Sequence, residues 1–360
     1  MVFLPEKGHG MGGVEYAGRS FHKGILIKIP ALLILLSNLL FSPPAFSSDL
    51  ASSESVSAKL HEDLFSVIFP TEKEGWACGR WGTILYTEDG GKTWCQQASG
   101  TDYTLSSIYF ADHHHGWAVG DGGTVVSTDD GGKTWTKQKT SVKYFLMCVY
   151  FTDKDTGWIV TEKTHILHTK DGGENWALQF KDDDYLLKSV SFCDEKNGWA
   201  AGEYGIVYHT EDGGETWVKQ AGGLAFSEET GEILAGSIIF GVFALNPTSA
   251  WVVGIDGYAA KTDDAGKNWE RISEGIPKRH LFCVSGDKSG NLFIGGKGVF
   301  LVSFDNGQSW QSSKFDPSII YSWIYNVTHQ KKEEYVAVGK GGAIYASSGT
   351  NSQMVWHKVN

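Results

Sequence analysis

Six aspartates stand at near-constant intervals: Asp89, Asp130, Asp171, Asp212, Asp264 and Asp305, separated by 41, 41, 41, 52 and 41 residues. Carboxylates are the acids, bases and nucleophiles of glycosyl transfer, so so regular a set has first to be weighed as catalytic. Every copy lies in one octapeptide, from Thr87-Glu-Asp-Gly-Gly-Lys-Thr-Trp94 through TDDGGKTW, TKDGGENW, TEDGGETW and TDDAGKNW to Ser303-Phe-Asp-Asn-Gly-Gln-Ser-Trp310. Six equivalent catalytic centres would be redundant; six identical turns would not. Asp bonds nearby backbone amides, and Gly accepts positive φ. A Trp burying roughly 200 Å² then pins the turn to its sheet. The octapeptide reads as a hairpin turn and its aspartates as structural.

Other reactive side chains form weaker patterns. His113-His-His115 invites a metal, but adjacent histidines on a turn seldom converge on one ion without carboxylate or cysteine help, so no metal is expected. Cys78, Cys95, Cys148, Cys193 and Cys283 are odd in number and follow no metal spacing. Cys78 and Cys95 fall on strands one apart within a repeat, about 9–10 Å distant and too far to bridge, so the cysteines read as small buried apolar residues. Asp121 and Glu203 could face one another across a channel, although no spacing argues for it. No cofactor is expected.

The elements that position these residues repeat with the same period, which marks a repeat architecture. One unit reads Ile108-Tyr-Phe-Ala, Gly116-Trp-Ala-Val-Gly120, Gly123-Thr-Val-Val-Ser-Thr128 and Trp135-Thr-Lys-Gln138. Short apolar runs separated by turns are the signal of an antiparallel meander. The Trp of the second strand recurs as Trp76, Trp117, Trp158, Trp199 and Trp251, with Leu292 and Val336 in its place in the last two units. The seventh unit lacks the aspartate, yet still supplies strands near Gly342–Ala346 and Val355–Val359. The expected fold is all-β: a seven-bladed β-propeller of four-stranded antiparallel blades over 61–360. Closure by an N-terminal strand beside blade seven is possible but not required. The 52-residue step marks an 11-residue insertion after Trp217, and 222–236 reads as a protruding hairpin and a candidate specificity loop.

In such a fold the aspartate turns share one face with the first-to-second-strand loops. Gly-x-x-Gly turns and blade connections share the other, and the candidate binding residues lie there. Connections bring Tyr103, Tyr144 and Tyr185 just ahead of the inner strands, with His280 and Tyr321 nearby and Arg279 beside them. Turns bring Arg80, Trp81, Asp121, Glu162, Lys163, Glu203, Tyr204, Asp256, Lys297 and Lys340, and the insertion adds Phe226. Tyr and Arg are enriched at binding hot spots.

Ile29–Phe41 is an uncharged apolar run between Lys28 and Ser42-Pro-Pro-Ala-Phe-Ser-Ser48. Residues 1–47 therefore read as a secretory signal, cleaved near Ser47 or retained as an anchor, and 48–60 as a linker. That predicts an exported protein, periplasmic or in a thylakoid lumen. The chain carries −11 at pH 7. The leader has Lys7, Arg19, Lys23 and Lys28 against Glu6 and Glu15, or +2, which leaves −13 for the rest. That balance disfavours nucleic acid and anionic membrane as general partners.

The octapeptide resembles the Asp-box, or BNR repeat. With its spacing and the paired Gly-Trp-x-x-Gly and Asp-Gly-Gly-x-Thr-Trp motifs, the chain from blade one onward resembles the photosystem II stability/assembly factor family. That resemblance implies a seven-bladed, non-enzymatic, chaperone-like scaffold, monomeric, binding a membrane-protein subunit or an envelope complex on the exported side. Photosynthetic members carry an arginine-rich patch; here the propeller keeps only Arg80, Arg271 and Arg279. Asp-boxes also occur in sialidases and xyloglucan-cleaving enzymes, so a glycoside hydrolase is the alternative. Sialidases require an arginine triad, and Arg271 and Arg279 fall in one connection.

Overall fold

Strand sequences here are dictated by what each strand must pack against. The inner strand of every blade carries a bulge after its first residue, as between Leu64 and Ser66, Leu105 and Ser107, or Leu281 and Cys283. Second strands such as Gly75–Gly79, Gly116–Gly120 and Leu292–Gly296 are buried along their length, because both of their faces meet neighbouring blades. Fourth strands such as Thr136–Gln138 are short and largely exposed on the rim. A computed structural model describes residues 62–360 apart from 184, 222–224, 227–232, 235, 236, 288, 332, 351 and 352, with backbone alone at 225, 226, 233 and 234. The expected signal segment 1–47 and linker 48–60 lie outside the described residues.

Seven antiparallel sheets follow one another in chain order, each paired one-two-three-four from the inner strand outward. The expected seven-bladed propeller is the fold. Blade seven has a fifth strand that the repeat did not announce: Lys314–Asp316, from the preceding connection, pairs parallel with Val355–Lys358. Among the described residues all four of its antiparallel strands come from the C-terminal part of the chain, and none from ahead of blade one joins them. The insertion does form a hairpin, Ala225–Phe226 pairing antiparallel with Ile233–Leu234. Among the described residues no helix is long and apolar enough to cross a membrane.

Aromatic sandwiches join the blades. Trp76 stacks on Phe110 of the next blade at 3.8 Å, Trp117 on Phe151 at 3.6 Å and Trp158 on Phe192 at 3.9 Å. The Asp-box Trp of the phenylalanine's own blade meets the same ring edge-on, as Trp135 does Phe110 at 5.9 Å. Face-on and edge-on contacts suit the ring quadrupole. Gly116 leaves room for this, since a Cβ there would lie 2.3 Å from the Phe110 ring. In blade six the register places Phe293, not Leu292, at the Trp position, because Phe293 pairs Ser285 as Trp76 pairs Ile68. Val336 holds it in blade seven.

A second device is polar. Gln97 donates to the carbonyl of Gly131 in the next Asp-box at 3.2 Å and accepts from the Trp135 indole at 3.1 Å. Gln138 does the same to Gly172 and Trp176. Gln330 closes the ring from blade seven, donating to Glu72 O at 2.9 Å and Gly90 O at 3.0 Å. Cys78 and Cys283 are buried as expected, Cys95, Cys148 and Cys193 only partly, and all five are free thiols.

Candidate binding surface at the channel mouth

The two ends of the ring have different chemistry. At one end each Asp-box aspartate is saturated by its own turn. Asp89 Oδ1 accepts from the Thr87 hydroxyl at 2.9 Å and from the amides of Lys92 and Thr93 at 3.0 and 2.9 Å, and Oδ2 accepts from the Thr93 hydroxyl at 2.7 Å. Asp130, Asp171, Asp212, Asp264 and Asp305 repeat the pattern, with Thr134, Asn175, Thr216, Asn268 and Ser309 as the donors four residues on. Hydrogen bonds from Ser309 and Ser303 hold the Asp305 carboxyl down at about 2. These are turn-formers. His115 Nδ1, in the neighbouring loop, contacts Asp112 at 2.8 Å.

The other end carries the Gly-x-x-Gly turns and the connections, and Arg80 N–H donating to Asp63 O and Asp121 N–H to Thr104 O bind the two together. The second x of these turns is left-handed: Gly122 and Gly341 hold φ of 65 and 66°, but Trp81, Tyr204 and Asp256 hold 56, 55 and 52°. A bulky side chain in that region is a costly outlier. Trp81 is nonetheless 68% exposed.

Most of the expected residues surround this mouth. Tyr103 is half-exposed beneath Lys137, and Tyr144 is hydrogen-bonded to the His165 ring beneath Lys163. Arg80 lies over Phe65 and 3.7 Å from Asp63. Lys297 and Lys340 flank the Trp323 ring at 5.7 and 5.3 Å. His280 Nδ1 accepts from the Asp256 amide, and Arg279 lies against Gly298. Glu203 accepts from Leu186 N. Tyr321 projects almost free at 91% exposure, one residue off the register that Tyr103 and Tyr144 set. Tyr185 does not belong with them. It is buried at 8% exposure beneath Lys219, with its amide bonded to the Thr164 hydroxyl, because Tyr204 covers it where Tyr103 meets only Gly122. The Phe226 side chain lies outside the described residues.

The residues that sequence reasoning missed line the channel, a cavity of about 1130 Å³. The bulged position of each inner strand holds Phe65, Ser106, Met147, Lys188, Phe240, Phe282 and Tyr325, all on its wall. Four of these join Trp323 in an aromatic arc: Phe240–Phe282 at 5.5 Å, Phe282–Tyr325 at 5.5 Å, Tyr325–Phe65 at 5.2 Å and Phe282–Trp323 at 5.7 Å between ring centroids. Burial lowers the Lys188 ammonium on the opposite wall, against the charges of Glu203 and Glu162. Among the described residues the channel carboxylates are Asp287 and Glu333, and Asp287 already accepts from the Tyr335 hydroxyl at 2.8 Å.

The family model for photosynthesis system II assembly factor YCF48 matches residues 45–144, 96–178, 135–222 and 178–359, which together span the propeller. The chain belongs to the YCF48 family. A solved YCF48 bound to D1 peptide superposes with a TM-score of 0.64 at 19% identity, over 80% of this chain and 92% of the other. YCF48 from Cyanidioschyzon merolae gives 0.64 and 19%, over 79% and 95%. A GH74 xyloglucanase from Xanthomonas campestris also reaches 0.64, at 14% identity, over 85% of this chain and 55% of its own. At such identities the likeness is one of fold. No curated protein matches the chain significantly. Within this YCF48-family chain, Arg80, Arg271 and Arg279 stand apart: Arg80 over Phe65, Arg271 over Tyr258 at 4.9 Å, Arg279 beside Gly298.

Proposed function

We propose that this protein is a non-enzymatic scaffold that receives an extended segment of a protein partner at the channel mouth, on the side of the Gly-x-x-Gly turns. The observation that carries this reading is the continuous aromatic arc of Phe240, Phe282, Trp323, Tyr325 and Phe65, with Arg80, Lys297 and Lys340 on its outer edge. Such an arc offers rigid apolar area to a side chain entering the channel, and the cations offer partners to its carboxylates. The YCF48 that binds a D1 peptide shares the family and supports a peptide-like occupant. By extension the partner is a membrane-protein subunit or an envelope complex, met on the exported side by a monomer freed of residues 1–47.

Binding is favoured over glycoside hydrolysis by the placement of charge. Hydrolysis of a glycosidic bond needs two carboxylates facing one another about 5–9 Å apart. Asp121 and Glu203 occupy outer turns and do not line the channel, and the three arginines are dispersed. A photo-reactive phenylalanine at position 323 should cross-link one partner chain in a native extract, whereas one at Lys133, in an Asp-box, should not. Hydrolysis of xyloglucan or a sialoside that vanishes in Asp287→Asn would overturn the reading.

A further inference from the structure

Two histidines occupy one repeat position inside the propeller. His168 and His209 stand 41 residues apart, on the third strands of blades three and four, and both are buried. Each lies flat on the second-strand tryptophan of its own blade, His168 on Trp158 at 4.9 Å and His209 on Trp199 at 4.2 Å. Other blades give this place to Tyr86, Ser127, Lys261 and Val302. A buried imidazole titrates within the physiological range and resists its charged form.

Of the two, His168 reaches the clamp that ties its blade to the next. Gln97 and Gln138 give their amide to the following Asp-box carbonyl and their oxygen to the tryptophan of that box. Gln179 is wired differently. Its Oε1 accepts from the Trp158 indole at 3.2 Å, and its amide donates to His168 Nδ1 at 3.1 Å and to Gly213 O at 3.4 Å. Trp217, which stands where Trp135 and Trp176 meet their glutamines, keeps its buried indole N–H without a partner. With Nδ1 accepting, the neutral His168 ring carries its proton on Nε2. A second proton goes to Nδ1, where the new N–H points at an N–H of Gln179. Gln179 satisfies it only by turning its amide over, so that Oε1 faces the ring. The Gly213 carbonyl then loses its donor and the Trp158 indole its acceptor. We propose that His168 is a pH-operated latch on the junction of blades three and four: neutral, it holds Gln179 across the junction, and protonated, it turns Gln179 away and frees the Asp-box of blade four.

The groups around the ring set the direction of the switch. From its own blade His168 meets Trp158 and Gln179, which carry no charge. Lys170 of its own Asp-box and Glu215 of the next act on it from outside, and they pair with one another at 3.2 Å across the same junction. Burial first, and then Lys170, lowers the His168 imidazolium from its ordinary range. A folded value below that of the open form, about 6.5, means that the open junction takes up the proton first. Opening is therefore favoured as pH falls below about 6.5, and the gain ends once the folded ring is itself protonated. His209 is lowered by burial too, against the charge of Glu211. Its blade's clamp residue, Gln220, instead donates to Ala265 O at 2.6 Å, and among the described residues no hydrogen bond between blades runs through His209.

The test is hydrogen exchange of the whole chain, read by mass spectrometry at about pH 7 and about pH 5 and corrected for the intrinsic pH dependence of exchange. Opening of the segment Thr210–Trp217 should be favoured about tenfold at the lower pH, the effect of one proton and of the bonds it breaks. Thr128–Trp135 and Thr169–Trp176, clamped by Gln97 and Gln138, should change little. His168→Ser, which installs the residue that blade two carries as Ser127, should abolish the difference at Thr210–Trp217, and His209→Ser should retain it. In the unaltered protein, nitrogen NMR of labelled histidine should place the neutral His168 proton on Nε2 and show the ring titrating below 6.5. A proton on Nδ1 at neutral pH, an equal response of the three segments, or a difference that persists in His168→Ser would overturn the proposal. Should His168→Ser fail to fold, the tautomer and the three segments of the unaltered protein decide. No partner is in the assay, so the protein-partner reading stands or falls separately.

Discussion

An aspartate that accepts three or four hydrogen bonds within its own turn is stabilised as the carboxylate. Asp305, held at about 2 chiefly by the Ser309 and Ser303 hydroxyls, shows this most clearly. Its folded value lies below that of an unfolded chain, about 3.9, so its contribution is complete above pH 4 and disappears as pH falls towards 2. Denaturant unfolding between pH 5 and 2.5 should therefore show a loss that Asp305→Asn diminishes; an unchanged slope in the variant would assign the acid sensitivity elsewhere. Trp81 presents the opposite case, a residue whose backbone conformation works against it. Trp81→Gly exchanges a left-handed cost of about 1–2 kcal/mol for the chain entropy of glycine, about 0.5–1 kcal/mol. Thermal stability should stay level or rise slightly while binding at the mouth weakens. A marked loss of stability would show that the indole is needed for packing.

Blades are joined by elements of two kinds, aromatic and amide. Phe151 lies flat on Trp117 at 3.6 Å and receives the edge of Trp176 at 5.8 Å. Phe151→Ala would open a cavity between two blades, and urea titration should report a loss of about 3–5 kcal/mol. Tyr185→Ala should act likewise, since that ring is buried against Tyr204, and any effect on binding should follow from its effect on folding. The insertion hairpin stands outside this system. Deleting 223–235 should leave the melting temperature within a few degrees, and a large drop would mean that the hairpin supports a blade.

At the scale of the whole ring, closure is the feature that the repeat alone does not supply. Gln330 reaches from blade seven to Glu72 O and Gly90 O, and Asn326 Oδ1 accepts from Val67 N at 3.2 Å. Gln330→Ala would leave two carbonyls of blade one without their donor, at a cost of about 1–3 kcal/mol. Hydrogen exchange should then rise first in blades seven and one; uniform acceleration over all blades would show that closure resides elsewhere. The two ends of the ring also differ, with the Asp-box turns at one and an aromatic, cation-flanked channel mouth at the other. The cations beside the arc let an acidic protein offer partners to the carboxylates of an entering segment.

How much of this was legible in the residues follows from the range of each interaction. The Asp-box turns, the blade count and the assignment of faces were, because a turn is made within eight residues and a meander alternates its ends without regard to distant contacts. The family resemblance rested on the same local motifs. The glutamine clamp was written in the sequence too, as Gln97, Gln138 and Gln179 at the 41-residue period, but its meaning appears only when the next blade is in place. The channel wall was not legible. A bulge after the first residue of each inner strand shifts the alternation by one, and that shift sends Phe65, Phe240, Phe282 and Tyr325 inward. Tyr185 was misplaced because its position in the repeat matches Tyr103, but Tyr204 of the adjoining turn covers it where Tyr103 has Gly122. Local chemistry along the chain determined the repeat, whereas which side chains reach the channel or the solvent was decided by contacts between residues one blade apart or more.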